Sequence, residues 1–283
     1  MDQPTIKLSA PKTKEFWEIP VVYEDEHLLA LSKPARLLIS PDRYDSERPN
    51  LMRLLHEGIT LAKPWAASRH LTYLANAHRL DFETTGVILL AKSKPVLVAL
   101  ANLFGTERVD KRYVALVGGE PVTPKFTENG PLSPHPTRLG LMRVDTGRGK
   151  RSRTEFNVLE RYRGYTLLHC RPFTGRTHQI RVHLQNQRLP ICGDSSYGGK
   201  PLFLSKLKKR YHLKEGNKER PLIDSIALHA ERLSLIHPIT NLRIEMIADW
   251  PRELNVAVKY LRRYVLVSGP VSPTAAPVDG PVE

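Results

Sequence analysis

An α+β fold is predicted for this chain, and three features predict it. Short apolar runs rich in β-branched residues alternate with turn signals, helical spacing is confined to four segments, and the two kinds of signal do not alternate as a doubly wound sheet requires. In chain order, residues 1–18, with Pro4 and Pro11 among mixed charges, read as a leader that becomes structured near Ile19, Val21 and Tyr23. A strand over 27–32 precedes a helix over 50–56, where Leu51, Leu54 and Leu55 share one face. Residues 86–91 are a continuous apolar run short enough for a buried strand, and 95–104 return to helical spacing. Strands over 112–117, 155–160 and 165–171 follow. A helix over 177–185 sets Ile180 and Leu184 one turn apart behind a threonine N-cap, and a strand over 242–247 leads into a last helix over 252–262. Residues 19–264 are therefore read as one domain. From Ser268 on, four prolines and few large apolar residues leave too little surface to offset the entropy of ordering, so 265–283 read as a disordered tail.

With 283 residues and 41% hydrophobic content, the chain can bury one substantial core, or two subdomains around a cleft, without disulfides or metal. Cys170 and Cys192 form no CxxC pair and sit beside apolar residues, so buried reduced thiols are expected rather than a zinc or redox site. There is neither a signal-like N-terminus nor an uninterrupted apolar stretch of about 18 residues, which points to a soluble, cytoplasmic protein with no membrane partner.

The formal charge is +14, and the tail contributes only Asp279 and Glu283, so the rest is more basic still. Such a surplus favours a polyanion, because each Lys or Arg set on a phosphate releases condensed counterions. Two loops concentrate it. Residues 138–153 carry Arg138, Arg143, Arg148, Lys150, Arg151 and Arg153 against Asp145, and residues 200–220 include Lys206, Lys208, Lys209 and Arg210. Either loop alone is as readily a solvated surface; two in one basic chain make RNA contact the better joint reading.

Chemistry concentrates in two segments. In His78-Arg79-Leu80-Asp81-Phe82-Glu83-Thr84-Thr85-Gly86 a carboxylate stands on a loop at a strand's edge, held firmly yet able to face a cleft, with Gly86 permitting a tight or left-handed turn. Taken alone, Asp81 reads better as a loop carboxylate paired with Arg79 or accepting backbone hydrogen bonds. In Thr174-Gly175-Arg176-Thr177-His178-Gln179-Ile180-Arg181-Val182-His183-Leu184, the two histidines are five residues apart, about 500° around a helix, and do not stack as zinc ligands would. Arg181 is instead a candidate ion-pair partner for a cleft carboxylate.

These segments, with Lys33-Pro34 near the front, Gly193-Asp194-Ser195-Ser196-Tyr197-Gly198, and Leu228-His229-Ala230 running on to His237-Pro238, resemble the RluA family of RNA pseudouridine synthases. The resemblance spans roughly residues 19–251 and rests on the joint order of the motifs. It implies a bent, mainly antiparallel mixed sheet with flanking helices and a central RNA-binding cleft. It also implies an isomerase that cuts the glycosidic bond of a uridine, rotates the uracil and rejoins ribose to carbon 5, with no cofactor or metal. On this resemblance Asp81 is the catalytic carboxylate, Arg181 its partner, and Tyr113 the residue that stacks on the uracil. Arg79 replaces the flipped base, and Arg176 and His178 join Lys206, Lys208, Lys209 and Arg210 in RNA contact. The target must be flipped out, at a cost of a few kcal/mol. Ribosomal or transfer RNA is the implied partner, and a monomer is expected.

Some positions depart from the family pattern. Arg36 stands where relatives commonly have glycine, Ser40 where they have histidine, and Thr85 where they have serine, which retains a hydroxyl. The short leader leaves no room for the accessory RNA-binding domain that many relatives carry. Three other readings compete: a catalytically silent RNA-binding or ribosome-assembly factor on the same fold, a glycosidase-like enzyme pairing Asp81 with Glu83, and a DNA-binding module. The presence of Asp81, Arg181 and Tyr113 speaks against the first, the basic surplus against the second, and the lack of a helix-turn-helix or zinc pattern against the third.

Overall fold

The computed structural model describes residues 4–42, 45, 47–106, 108–213 and 216–268. The first element is a strand. In β1 (Thr5–Ala10) every second residue, Ile6, Leu8 and Ala10, is buried, and the strand pairs antiparallel with β2 (Glu15–Glu24). The segment read as a leader is therefore half of the opening hairpin. Its prolines mislead because they stand at the strand's margins, where they interrupt no ladder, and the Pro4 carbonyl accepts from Val21 N.

The remaining elements follow the sequence signals more closely. After β3 (Leu28–Lys33) come α1 (Leu51–Thr60), whose N-cap Asn50 accepts from Arg53 N at 3.0 Å, and the short α2 (Pro64–Ala67). Then come β4 (Ala75–Asn76), the wholly buried β5 (Thr85–Ala91), α3 (Lys94–Gly105), β6 (Asp110–Gly118) and β7 (Lys125–Glu128). The hairpin β8 (Leu132–Pro134) and β9 (Met142–Val144) lies apart from the main sheet, and β10 (Thr154–Tyr162) and β11 (Tyr165–Pro172) rejoin it. The chain closes with α4 (Gln179–Asn186), α5 (Leu204–Leu207), β12 (Leu228–Ile236), β13 (Arg243–Ile247), α6 (Arg252–Val265) and β14 (Leu266–Ser268). Because β14 pairs with β10, the sheet reaches into what reads as tail; residues 269–283 lie outside the described residues.

The main sheet runs β1-β2-β3-β5-β12-β6-β11-β10-β14, with β4, β7 and β13 as side pairings. It is mixed and mainly antiparallel, as the family resemblance implied, because one junction is parallel: Thr85 and Gly86 of β5 lie against His229 and Ala230 of β12. Three large apolar clusters pack it. One joins β1–β3 to α1 and α2, a second sits under α3, and a third joins β6, β10 and β11 to α4, α5 and α6. Cys170 and Cys192 are both buried and free in the third. No helix of the described residues is long and apolar enough to cross a membrane.

Gly86 decides how closely the parallel junction closes. Its φ is +110°, and a Cβ there would meet the Ala230 carbonyl oxygen at 2.2 Å. Only glycine lets β5 approach β12 so closely, directly after the loop that carries Asp81.

Candidate active site

A cleft of about 280 Å³ opens beside that junction, lined by residues of the Asp81 loop, α3, β6 and the loop leading into α4. Asp81, Arg79, Tyr113, Arg176, His178 and Arg181 all line it, together with His78, Phe104 and Lys111. Asp81 is the one carboxylate among the residues that line the cleft. Glu83 is not its partner: its Oε2 lies 3.7 Å from Arg36 Nε and it does not line the cleft. The separation of two facing carboxylates that a glycosidase uses is therefore missing here.

The Asp81 loop is held from behind. Lys33, 1% exposed, donates from Nζ to the carbonyls of Pro34 (2.7 Å), Leu37 (2.9 Å) and Phe82 (3.2 Å), and Arg36 N donates to the same Phe82 carbonyl at 2.8 Å. Burial pushes the Lys33 pKa down to about 7, against the opposing pull of Asp81 and Glu83. Arg36 has φ +59°, so the position keeps the left-handed turn that a glycine adopts freely, and its guanidinium crosses to Asp224 at 2.8 Å. Thr85 donates to His229 Nδ1 at 2.8 Å while His229 Nε2 donates to the Ala248 carbonyl at 3.0 Å, which assigns the tautomer and the use of the retained hydroxyl.

Arg181 does meet Asp81, but it is gripped by another group. Its Nη1 stands 3.5 Å from Asp81 Oδ2, whereas Nε and Nη2 make a bidentate pair with the Asp194 carboxylate at 2.7 and 2.9 Å. Asp194 is 1% exposed, so this pair is the rigid member of the site. Burial opposes the Arg181 charge, yet the Asp194 hydrogen bonds and the Asp194 and Asp81 charges outweigh it and raise its pKa. The guanidinium also lies 4.8 Å over the Tyr197 ring. The longer contact to Asp81 leaves that carboxylate room to engage a substrate while a fixed positive charge stands beside it.

Tyr113 lines the same cleft, half-buried on β6. Burial first, and then the Asp81 charge, push its pKa up, so it stays a neutral phenol. Arg79 is exposed and pairs with no carboxylate among the described residues, so the salt bridge that would make it purely structural is missing. His78 accepts from Leu89 N through Nε2 at 3.0 Å and stacks on Phe104 at 4.8 Å; burial lowers its pKa to about 3, which keeps it neutral.

The loop before α4 differs from its sequence reading. The helix starts at Gln179 with no threonine cap; its N-cap, His178, sits in the left-handed region at φ +53° and caps with no side chain. Gln179 does the local work: its Oε1 accepts from Thr174 Oγ1 (2.7 Å) and Arg176 N (3.0 Å), while its Nε2 donates to Arg153 O and Thr154 Oγ1. The strained turn aims His178 at the site. Its Nδ1 meets the Tyr197 hydroxyl at 2.7 Å and its Nε2 lies 4.0 Å from Asp81 Oδ2. His183 points the other way, into hydrogen bonds with Ser152, Thr154 and the Gly130 carbonyl. The remaining expected RNA contacts, Lys206, Lys208, Lys209 and Arg210, do not line the cleft; they lie on and just after α5. Asp194 and Tyr197 were missed as functional groups, although the segment 193–198 that holds them was already singled out.

The family model described as RNA pseudouridylate synthase matches residues 27–186. A protein of Zymomonas mobilis named ribosomal large subunit pseudouridine synthase D is 31% identical over 265 residues, covering 90% of this chain and 77% of its own length. One of the same name from Xylella fastidiosa is 35% identical over 247 residues, covering 86% and 70%. The solved structure of human RNA pseudouridylate synthase domain containing 4 superposes with a TM-score of 0.67 at 24% identity, over 88% of this chain and 94% of the other, and shares its fold. The chain belongs to the RluA family of RNA pseudouridylate synthases.

Proposed function

We propose that this uridine isomerase acts on ribosomal RNA of the bacterial large subunit, with Asp81 as its catalytic carboxylate. The observation that carries the assignment is that Asp81 is the single carboxylate lining a cleft otherwise furnished with Arg79, Lys111, Arg176 and Arg181. In this reading Arg181, locked by Asp194, sets a permanent positive charge beside Asp81 and orients it. The carboxylate then acts on the ribose or on the base of the flipped uridine. Tyr113, held as a neutral phenol, stacks on the uracil and can offer it a hydrogen bond. Arg79, with no carboxylate partner among the described residues, fills the gap left in the RNA, where a guanidinium can stack on bases and bind phosphate together. His178 presents Nε2 toward Asp81 and the incoming nucleotide. The rearrangement adds no atom and no electron, so neither metal nor cofactor enters the proposal, and the chain is taken as a cytoplasmic monomer.

The target is tested by mapping pseudouridines in ribosomal and transfer RNA from strains with and without the gene. Loss of sites confined to large-subunit ribosomal RNA is the expected result, and loss confined to transfer RNA overturns the choice of substrate.

A further inference from the structure

Lys206, Lys208, Lys209 and Arg210 do not share a face with Asp81. Directly opposed residues in an antiparallel pair point to the same side of a sheet, and neighbours along a strand alternate. Tyr113, Cys170 and Phe156 are opposed across β6, β11 and β10. Their side is the cleft side, where Gln179 and His183 of α4 bond Thr154, two residues from Phe156. Leu116, Leu167 and Glu160 are likewise opposed, on the other side of β6 and β11, and Arg262 of α6 pairs with Glu160 at 2.9 Å. Helix α6 therefore covers the back of the sheet, and α5 packs on it through Leu207.

The outward surface of these two helices carries uncompensated charge. Leu254, Ala257, Val258, Leu261 and Val265 turn α6 inward, leaving Arg252, Lys259 and Arg263 exposed along its length. At 100° per residue these three fall within about 40° of one another and span about 16 Å. Lys206, Lys208, Lys209 and Arg210 are exposed beside Leu207. None of these seven has a carboxylate partner among the described residues, whereas Arg262, on the flank of the same helix, does. Tyr260 and Tyr264, stacked at 6.1 Å, stand on the flank of the stripe, partly buried against the core, and Arg263 lies 5.5 Å from the Tyr264 ring. Repelling charges gathered on one face weaken a fold unless something answers them, and a phosphate backbone does so by releasing counterions.

We propose that the α5–α6 face is a second RNA-binding surface that grips a segment of the substrate remote from the flipped uridine. The inference rests on the reading of the chain as an RNA isomerase and adds a division of labour: the cleft handles one nucleotide, and the back face adds affinity for a large, folded RNA.

The test compares binding of the full chain to transcribed bacterial large-subunit ribosomal RNA and to a short uridine-containing hairpin across a salt series. Arg252→Ala/Lys259→Ala/Arg263→Ala is expected to weaken binding of the long RNA about tenfold at moderate salt and to flatten its salt slope by about 3. Hairpin affinity should shift less than about twofold, and the charge-keeping variant Arg252→Lys/Lys259→Arg/Arg263→Lys should bind like the parent. An unchanged slope, an equal loss for both RNAs, or loss of affinity in the charge-keeping variant overturns the proposal. So does selective capture of the parent by phosphatidylserine vesicles with no effect on RNA. Pseudouridine in the long RNA is scored separately: its absence with the parent protein removes the isomerase reading and leaves the binding result standing.

Discussion

The Tyr197 hydroxyl and His178 are joined by a hydrogen bond of 2.7 Å whose direction is fixed by a third group. Because the same oxygen already accepts from Met142 N at 2.9 Å, its proton goes to His178 Nδ1, and the neutral imidazole carries its own proton on Nε2, 4.0 Å from Asp81 Oδ2. Burial lowers the His178 pKa against the pull of Asp81, which keeps this neutral form. Tyr197→Phe should release the tautomer. Nitrogen NMR of His178 is expected to show mixed Nδ1–H and Nε2–H forms, and kcat to fall about tenfold with little change in KM. A single Nε2–H form in the variant would remove this link.

Arg181 and Asp194 should fail as a pair in stability but not in activity. Arg181→Met leaves the Asp194 carboxylate buried and unpaired, which costs about 3–5 kcal/mol in urea unfolding. Arg181→Met/Asp194→Asn should recover most of that stability while pseudouridine formation stays lost, because the charge beside Asp81 is still missing. Recovery of activity in the double variant would show that Arg181 serves only the fold.

Gly86→Ala meets two penalties at once, a left-handed φ and a backbone oxygen 2.2 Å from the new Cβ. The variant is expected to lose at least about 3 kcal/mol of stability by urea titration. Thr85 and Gly86 provide the β5 side of the parallel contact with β12, so the loop that carries Asp81 should loosen too.

Lys33 gives a pH signature with a definite sign. Its pKa falls from an ordinary 10.5 to about 7 in the folded chain, so between these values the unfolded chain binds more protons and stability rises with pH. Below the lower value both states are charged and the contribution is constant. Comparing the parent with Lys33→Met in urea, the parent should gain about 2 kcal/mol relative to the variant between about pH 7 and about pH 9. A constant difference would show that folding does not lower the Lys33 pKa.

Most of the fold was legible because its strands and helices carry strong local signals, such as the apolar run of β5 and the helical spacing of α1, α3 and α6. What escaped was short or set by tertiary contact. Strand β1 is six residues between prolines, β8 and β9 are three residues each, and the start of α4 is fixed by Gln179 bonding across the sheet rather than by a local cap. Half of one expected RNA-binding loop is thereby a hairpin whose Met142 and Val144 pack with Tyr197 and Val182.

The site was legible in its members and not in its wiring. Asp81, Arg181, Tyr113, Arg79, Arg176 and His178 converge on one cleft. Nothing in the spacing of residues 181 and 194 shows that Arg181 is held mainly by Asp194, and charge counting could not tell that 206–210 lie behind the sheet. Arg36 is the opposite case. Read as a departure, it keeps the backbone turn and adds an ion pair to Asp224, so the turn survives the loss of its common glycine.

Asp81 is expected to perform the chemistry rather than the binding. Purified parent protein and Asp81→Asn are incubated with RNA from a strain lacking the gene, and pseudouridine formation is measured beside RNA affinity. The expected result is conversion by the parent, none by Asp81→Asn, and affinities within about threefold of each other. Conversion by Asp81→Asn at the parent's rate would show that Asp81 is not the catalytic carboxylate.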